Sequence, residues 1–273
     1  MILALGCNSL YTSLFFANYC LRKQDIRFKV IFFSTRKLKI GGKTLGPFSA
    51  VKFLYDKLGL DFTSFLILQS LTPNILKFIP KYFFADGLWS FNKLAREFDI
   101  ELMEFEDFNS PVFHQALEKR KIDILVLNCT NQILKEKTIE TPREACLNIH
   151  PSYLPEYRGV DPIFQMMVNN EEYVGSTLHQ ITKNIDEGPI VARTRSQVRK
   201  DLSYFLRIKK STQLAGDNFK EFLENRRQVI PQNQDKKAIN PYRSIPKKDE
   251  VNLFKANGHS FVNLSEMKEA LKF

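Results

Sequence analysis

The chain has 273 residues, 44% of them apolar and 26% charged, and a formal net charge of +10. That length suits one large domain or a domain with a small appendage, and 11 glycines and 12 prolines are too few for a collagen-like or low-complexity chain. The charge is uneven: residues 191–273 hold 18 Lys/Arg against 9 Asp/Glu and residues 1–190 hold 22 against 21, so the excess forms a basic C-terminal part that suits an anionic partner, or solubility alone.

The opening Met1-Ile2-Leu3-Ala4-Leu5-Gly6 lacks a basic n-region and reads as a first strand, Ile2–Leu5, not a signal peptide. Further strands are predicted at Phe28–Phe33, Ile100–Phe105, Ile122–Leu127 and Ala145–Ile149. Apolar residues spaced by three or four predict helices at Leu10–Arg22, Ala50–Lys57, Leu88–Glu97 and Val112–Lys119. This alternation predicts an α/β fold, Rossmann-like and doubly wound, with a mostly parallel sheet and helices on both faces. Phe62 to Ala85 reads as an insertion of two short Phe- and Leu-rich helices, a hydrophobic layer on the domain or else a membrane-surface patch or acceptor-pocket wall. It is broken by Gln69, Pro73, Lys77, Pro80 and Lys81, so no transmembrane segment is expected. Strands follow at Ser176–Ile181 and Pro189–Thr194, then a polar helix from Ser203 to Arg227. The expected division is a catalytic domain over 1–195, with an insertion at about 60–90, and a small basic C-terminal extension over 196–273.

Cys7, Cys20, Cys129 and Cys146 form no C-x-x-C pair, which fits a reducing cytoplasm. Four histidines and scattered carboxylates give no ligand spacing, so no metal is expected. The turn Gly6-Cys7-Asn8-Ser9-Leu10 has one glycine where a dinucleotide site needs three, which excludes an NAD site; Asn8 and backbone N–H groups there could still meet an acceptor's phosphate. The loop Arg36-Lys37-Leu38-Lys39-Ile40-Gly41-Gly42-Lys43 reads as a solvated surface loop or a diphosphate clamp.

The chemistry concentrates in Asn148-Ile149-His150-Pro151-Ser152. Strand alternation sends Asn148 and His150 to one side and Ile149 into the core, and Pro151 ends the strand. Asp186 follows in the turn Asp186-Glu187-Gly188-Pro189, with His179 on the strand before it. An amide donor, an imidazole and a carboxylate are what acyl transfer to an amine requires: Asn148 and His150 meet charge developing on the carbonyl oxygen, and Asp186 takes the amine's proton directly, through His150 or through water. His179 either orients Asp186 from behind or is structural. Ser152 lacks the Gly-x-Ser-x-Gly elbow and reads as a turn-former.

Asn148-Ile149-His150-Pro151-Ser152, Leu154-Pro155, Arg158-Gly159, Gly175-Ser176-Thr177-x-His179 and Asp186-x-Gly188-Pro189 together resemble the formyltransferases that use 10-formyltetrahydrofolate. The resemblance is good over about 94–195, weaker over 1–60 and faint beyond 200. It implies that Asn148, His150 and Asp186 are the catalytic set and that 10-formyltetrahydrofolate is the co-substrate. It also implies that the segment from Asp123 to Leu134 lines the folate pocket, with Leu127, Gln132, Ile133 and Leu134 as binding residues, although Asn128-Cys129-Thr130 departs from the Gly and aromatic that relatives carry. For the acceptor amine the resemblance points to an amino deoxysugar on a nucleotide, bound by Asn8, Tyr153 and Arg158. Methionyl-tRNA, glycinamide ribonucleotide and a plain tRNA-binding role through the basic C-terminal part are the alternatives. The expected partner is thus a small-molecule nucleotide sugar and not a nucleic acid, and a homodimer is compatible with the sequence.

Overall fold

The computed structural model describes residues 1–36, 39–40, 43–76, 78, 90–235, 240–266 and 269. Lys37, Leu38, Gly41 and Gly42 of the expected clamp loop, the second half of the expected insertion and the start of the helix expected from Leu88 lie outside the described residues.

The elements run β1 (Leu3–Cys7), α1 (Tyr11–Arg22), β2 (Val30–Ser34), the two-residue strands β3 (Lys39–Ile40) and β4 (Lys43–Thr44), α2 (Pro47–Leu58), α3 (Leu60–Leu76), α4 (Phe91–Phe98), β5 (Glu101–Phe105), α5 (Pro111–Lys119), β6 (Ile124–Asn128) and α6 (Glu136–Glu140). Then come β7 (Ala145–His150), α7 (Pro162–Val168), β8 (Tyr173–Gln180), β9 (Ile190–Gln197), α8 (Tyr204–Asn225) and α9 (Lys248–Ala256). A seven-stranded sheet has the order β5-β2-β1-β6-β7-β8-β9. The first five strands in that order are parallel, β8 runs antiparallel to β7, and β9 runs antiparallel to β8. The fold is α/β and Rossmann-like, as the alternation of elements predicts.

Period-two patterning explains the two layers. Leu3, Leu5 and Cys7 of β1 and Ile124 and Val126 of β6 face α1, while Ala4, Leu125 and Leu127 face the other side, packing with Phe113 of α5. Ser90, Ser110 and Ser203 start α4, α5 and α8, each accepting from the backbone N–H three residues on, at 3.4, 3.3 and 3.4 Å. Helix α8 packs on the same core: Ala215, Phe219 and Phe222 join the α1 layer. Its Asn218 donates to the Ser176 carbonyl and accepts from Thr194 Oγ1.

Among the described residues the insertion contains one 17-residue helix, α3, in which Pro73 falls within the last turn and does not end it; the rest of the stretch expected to form two short helices lies outside the described residues. Phe62 and Phe65 are buried with Phe164, Tyr204 and Phe261, whereas Leu60, Leu68, Leu71, Ile75 and Phe78 are exposed. No helix among the described residues is long and apolar enough to cross a membrane.

Candidate active site

Strand β7 ends on His150, and antiparallel pairing with β8 sets Asn148 opposite His179 and His150 opposite Thr177. Leu147 and Ile149 enter the α1 layer, so Asn148 and His150 share the opposite face. The turn between β8 and β9 brings Asp186 over that face: its Oδ1 is 3.7 Å from His150 Nδ1 and 3.8 Å from His179 Nε2. All three side chains are at most 9% exposed. Asn148 and His150 of β7, His179 of β8 and Asp186 of the turn after it therefore meet in one place.

Hydrogen-bond partners fix the proton positions. His179 Nδ1 is 2.9 Å from the Gln180 carbonyl, which only accepts, so Nδ1 carries the hydrogen and Nε2 is an acceptor in the neutral ring. Asn148 Nδ2, 3.1 Å away, donates to it, which leaves its second N–H for a ligand. His179 is held neutral because burial pushes its pKa down to about 4, against the upward pull of the Asp186 charge. His150 Nε2 is 2.9 Å from the Tyr157 carbonyl and so donates there, which turns the basic Nδ1 of the neutral ring toward Asp186. At 3.7 Å the two are too far for a direct hydrogen bond, and a proton or a polar ligand atom would draw them together.

The loop that carries Asp186 is held at several points. Asp186 has φ +57°, a left-handed conformation that Asp tolerates, and its Oδ2 accepts from the Gly159 N–H at 3.0 Å. Arg158 donates to the Ile185 carbonyl at 2.6 Å and pairs with Glu187 at 2.7 Å, clasping the loop on both sides of Asp186. Gln234 Nε2 donates to the carbonyls of Asp186 and Gly188, each at 2.9 Å. A Cβ at Gly188 would lie 1.8 Å from the Gln180 carbonyl oxygen, so only glycine fits that close approach.

The other expected site residues fall as follows. Asn8 donates to the Cys129 carbonyl, and its Oδ1 accepts from the Leu10 N–H at 3.0 Å and Ser13 Oγ at 2.8 Å, so it ties the end of β1 to the end of β6. Tyr153 packs under the guanidinium groups of Arg193 and Arg195 on β9, at 4.3 and 5.1 Å. Arg158 is taken up by the Asp186 loop and by the Asn240 carbonyl, to which it donates at 3.3 Å. Leu127 and Leu134 are buried in the α5 layer. Ile133 is 65% exposed and presents an apolar surface outward. The Gln132 amide is buried, accepting from the Phe108 N–H and donating to Ser34 Oγ and the Glu106 carbonyl.

Gly159, the Tyr157 carbonyl and Gln234 are contributors that sequence reasoning missed. Gly159 is visible as half of Arg-Gly, but a backbone carbonyl carries no residue-type signal, and Gln234 lies 48 residues from the carbonyl it holds.

The formyl transferase family model matches residues 94–213, a span that contains Asn148, His150, His179 and Asp186. The chain carries a formyl transferase domain. The methionyl-tRNA formyltransferase of Kosmotoga olearia is 29% identical over 175 residues, which are 63% of this chain and 56% of that protein. The chain thus spans little more than half of that relative. Among solved structures, a sugar N-formyltransferase from a Shewanella species superposes with a TM-score of 0.56 at 16% identity, covering 96% of this chain and 91% of the other. The N-formyltransferase of Helicobacter canadensis, in complex with folinic acid and dTDP-3-aminofucose, gives 0.54 at 15% identity, covering 89% and 71%. At these identities the likeness is one of fold, and it extends beyond the formyl transferase domain to nearly the whole chain.

Proposed function

We propose that this protein transfers the formyl group of 10-formyltetrahydrofolate to a primary amine on a nucleotide-linked amino deoxysugar. The observation that carries the reading is the convergence of Asn148, His150 and Asp186 within a formyl transferase domain. The free N–H of Asn148 meets the formyl oxygen as the amine adds to the carbon and negative charge builds on that oxygen. His150 Nδ1, open toward Asp186, receives the proton the amine sheds, and Asp186 stabilises the resulting imidazolium. In that protonated form Nδ1 is also a donor, so the oxyanion role of His150 follows proton uptake. The C–N bond to the amine forms, the bond to the folate nitrogen breaks, and the proton passes to that leaving nitrogen. His179 is a positioning residue that keeps the Asn148 amide oriented. Ile133 supplies an apolar surface for the flat pterin, with the groups around Gln132 at its edge.

For the acceptor, the superposition on a sugar N-formyltransferase over 96% of this chain and 91% of the other supports a nucleotide sugar. Methionyl-tRNA is the second reading, favoured by the names of relatives at 29–31% identity. Four unpaired cysteines suit a reducing cytoplasm. Release of tetrahydrofolate, measured with dTDP-3-aminofucose, phosphoribosylglycinamide and methionyl-tRNA in turn, tests the proposal. Turnover with the nucleotide sugar supports it; turnover with methionyl-tRNA alone replaces the acceptor, and no release with any of the three overturns it.

A further inference from the structure

The formyl transferase match ends at residue 213, yet chain beyond it returns to the catalytic turn. Residues 226–247 connect α8 to α9, longer than the roughly 12–15 residues beyond which connections are uncommon and usually functional. Two stretches of this connection are tied to the turn that carries Asp186. In 232–235, Gln232 forms an antiparallel bridge with Ile190 at the start of β9, each N–H donating to the other's carbonyl at 2.8 Å. In 240–243, Arg243 forms a parallel bridge with Gly159: the Val160 N–H donates to the Arg243 carbonyl at 2.8 Å, and the Arg243 N–H donates to the Arg158 carbonyl at 3.1 Å. The Arg243 guanidinium donates to Gln165 of α7 at 2.8 Å, which anchors this second stretch to the body of the domain.

The two stretches hold Asp186 by different atoms. Its main chain is held by Gln234, whose Nε2 donates to the Asp186 and Gly188 carbonyls, each at 2.9 Å. Gln234 is buried, and its Oε1 has no hydrogen-bond partner among the described residues, so the amide is oriented by two carbonyls that can only accept. The side chain of Asp186 is held by the Gly159 N–H, which donates to Oδ2 at 3.0 Å. Gly159 is in turn set by Arg243: it has φ +103°, and a Cβ there would lie 2.2 Å from the Arg243 carbonyl oxygen, so only glycine allows the approach. Asp186 depends on such support, because a left-handed backbone at a residue other than glycine persists only where its surroundings over-determine it.

We propose that the connection from α8 to α9 is a clamp on the active site: Gln234 is a positioning residue that, with the Arg243–Gly159 bridge, holds the Asp186 carboxylate in place against His150. The inference rests on the formyl-transfer reading for the step that Asp186 serves. Catalytic groups work within about 0.5 Å of their productive geometry, and a displacement of about 1 Å can lower a rate by about 100-fold. The residues within the formyl transferase match therefore do not fix the Asp186 geometry by themselves, and the C-terminal part takes a share in the reaction.

The test uses the full chain with Gln234→Met, which keeps the volume and removes both donors, and Gln234→Asn, which keeps an amide but falls one methylene short; the second variant carries the same expectations should the first fail to fold. Formyl transfer from 10-formyltetrahydrofolate to dTDP-3-aminofucose, phosphoribosylglycinamide or methionyl-tRNA, whichever the wild type uses, is measured well below the Tm of each variant, together with hydrogen exchange over residues 184–188. The expected result is a kcat lower by about 10- to 100-fold, with the acceptor KM and folinic acid affinity within about twofold and exchange over 184–188 faster. Adding Gln234→Met to Asp186→Asn should slow that variant by less than about twofold, because the two residues act as a unit. A residue that only stabilised the fold would lower Tm and leave kcat of the folded protein in place. Near-wild-type kcat, unchanged exchange, or an equal loss of rate with and without Asp186→Asn overturns the inference. A wild type that formylates none of the three acceptors contradicts the formyl-transfer reading instead, and exchange then decides the clamp: faster exchange in the Gln234 variants supports it and unchanged exchange overturns it.

Discussion

Asn148 and His179 stand directly opposite each other on β7 and β8, with the Asn148 amide nitrogen 3.1 Å from His179 Nε2. The neighbouring Gln180 carbonyl forces the His179 proton onto Nδ1, so the imidazole can only accept from Asn148. Replacing Asn148 by Ala removes a donor aimed at the developing oxyanion and should lower kcat by about 10²- to 10³-fold with little change in folate binding. His179→Phe, which frees the amide to rotate, should lower kcat by a smaller factor and leave the acceptor KM in place. Steady-state kinetics of both variants check this ordering.

The same pair dictates a pH response. Burial holds His179 down near pKa 4, below its ordinary value of 6.5, so between these values the unfolded chain binds a proton that the folded chain refuses. Stability therefore rises with pH across this window and declines as pH drops from about 6.5 to 4. Chemical denaturation from pH 7 to 4.5 should show a shallower decline in His179→Phe than in the wild type.

Asp161 has the opposite sign. Its folded pKa of about 6 lies above the ordinary 3.8, so the folded state binds the extra proton and the buried charge costs stability once pH exceeds about 6. Asp161→Asn should raise Tm at pH 7.5 and do so less at pH 5. The Tyr204 hydroxyl and the Phe164 N–H donate to its Oδ1 and oppose the rise.

Arg158 clasps both sides of Asp186, and its side chain is 9% exposed. Arg158→Ala leaves the Ile185 carbonyl without this donor and the half-buried Glu187 with only Asn184, so we expect a loss of about 1–3 kcal/mol in stability and faster hydrogen exchange over residues 184–188. Gly188→Ala should have the same loop signature, because its Cβ would lie 1.8 Å from the Gln180 carbonyl oxygen. Mass-resolved exchange of the two variants reads this directly.

Much of the fold was legible because β1, β2 and β6, buried on both faces, read as short continuous apolar runs, while the spacing in α5 and α8 is the pattern that burial on one face imposes. Helix α7 was not, since all seven of its residues are buried and no polar face marks its period. The far half of β9 escaped for the reverse reason: from Arg193 on its residues are mainly exposed and polar, as an edge strand allows. In the site, the polar alternation of Asn148 and His150 was readable, and so was the Asp-x-Gly-Pro turn. The roles of the Gly159 N–H and the Tyr157 carbonyl were not, because backbone groups are common to every residue. Arg158 invited an acceptor role through its Arg-Gly motif, but its guanidinium is taken up by the Ile185 carbonyl, Glu187 and the Asn240 carbonyl.

The central claim is that Asn148, His150 and Asp186 together move a formyl group onto an amine. Its most direct test is single-turnover transfer from 10-formyltetrahydrofolate to dTDP-3-aminofucose, with wild type, Asp186→Asn and His150→Ala compared at equal folate occupancy. The account predicts formylated product with the wild type and rates at least about 100-fold lower in both variants, with the fold retained by circular dichroism. Near-wild-type rates in either variant, or no product with the wild type, would contradict it.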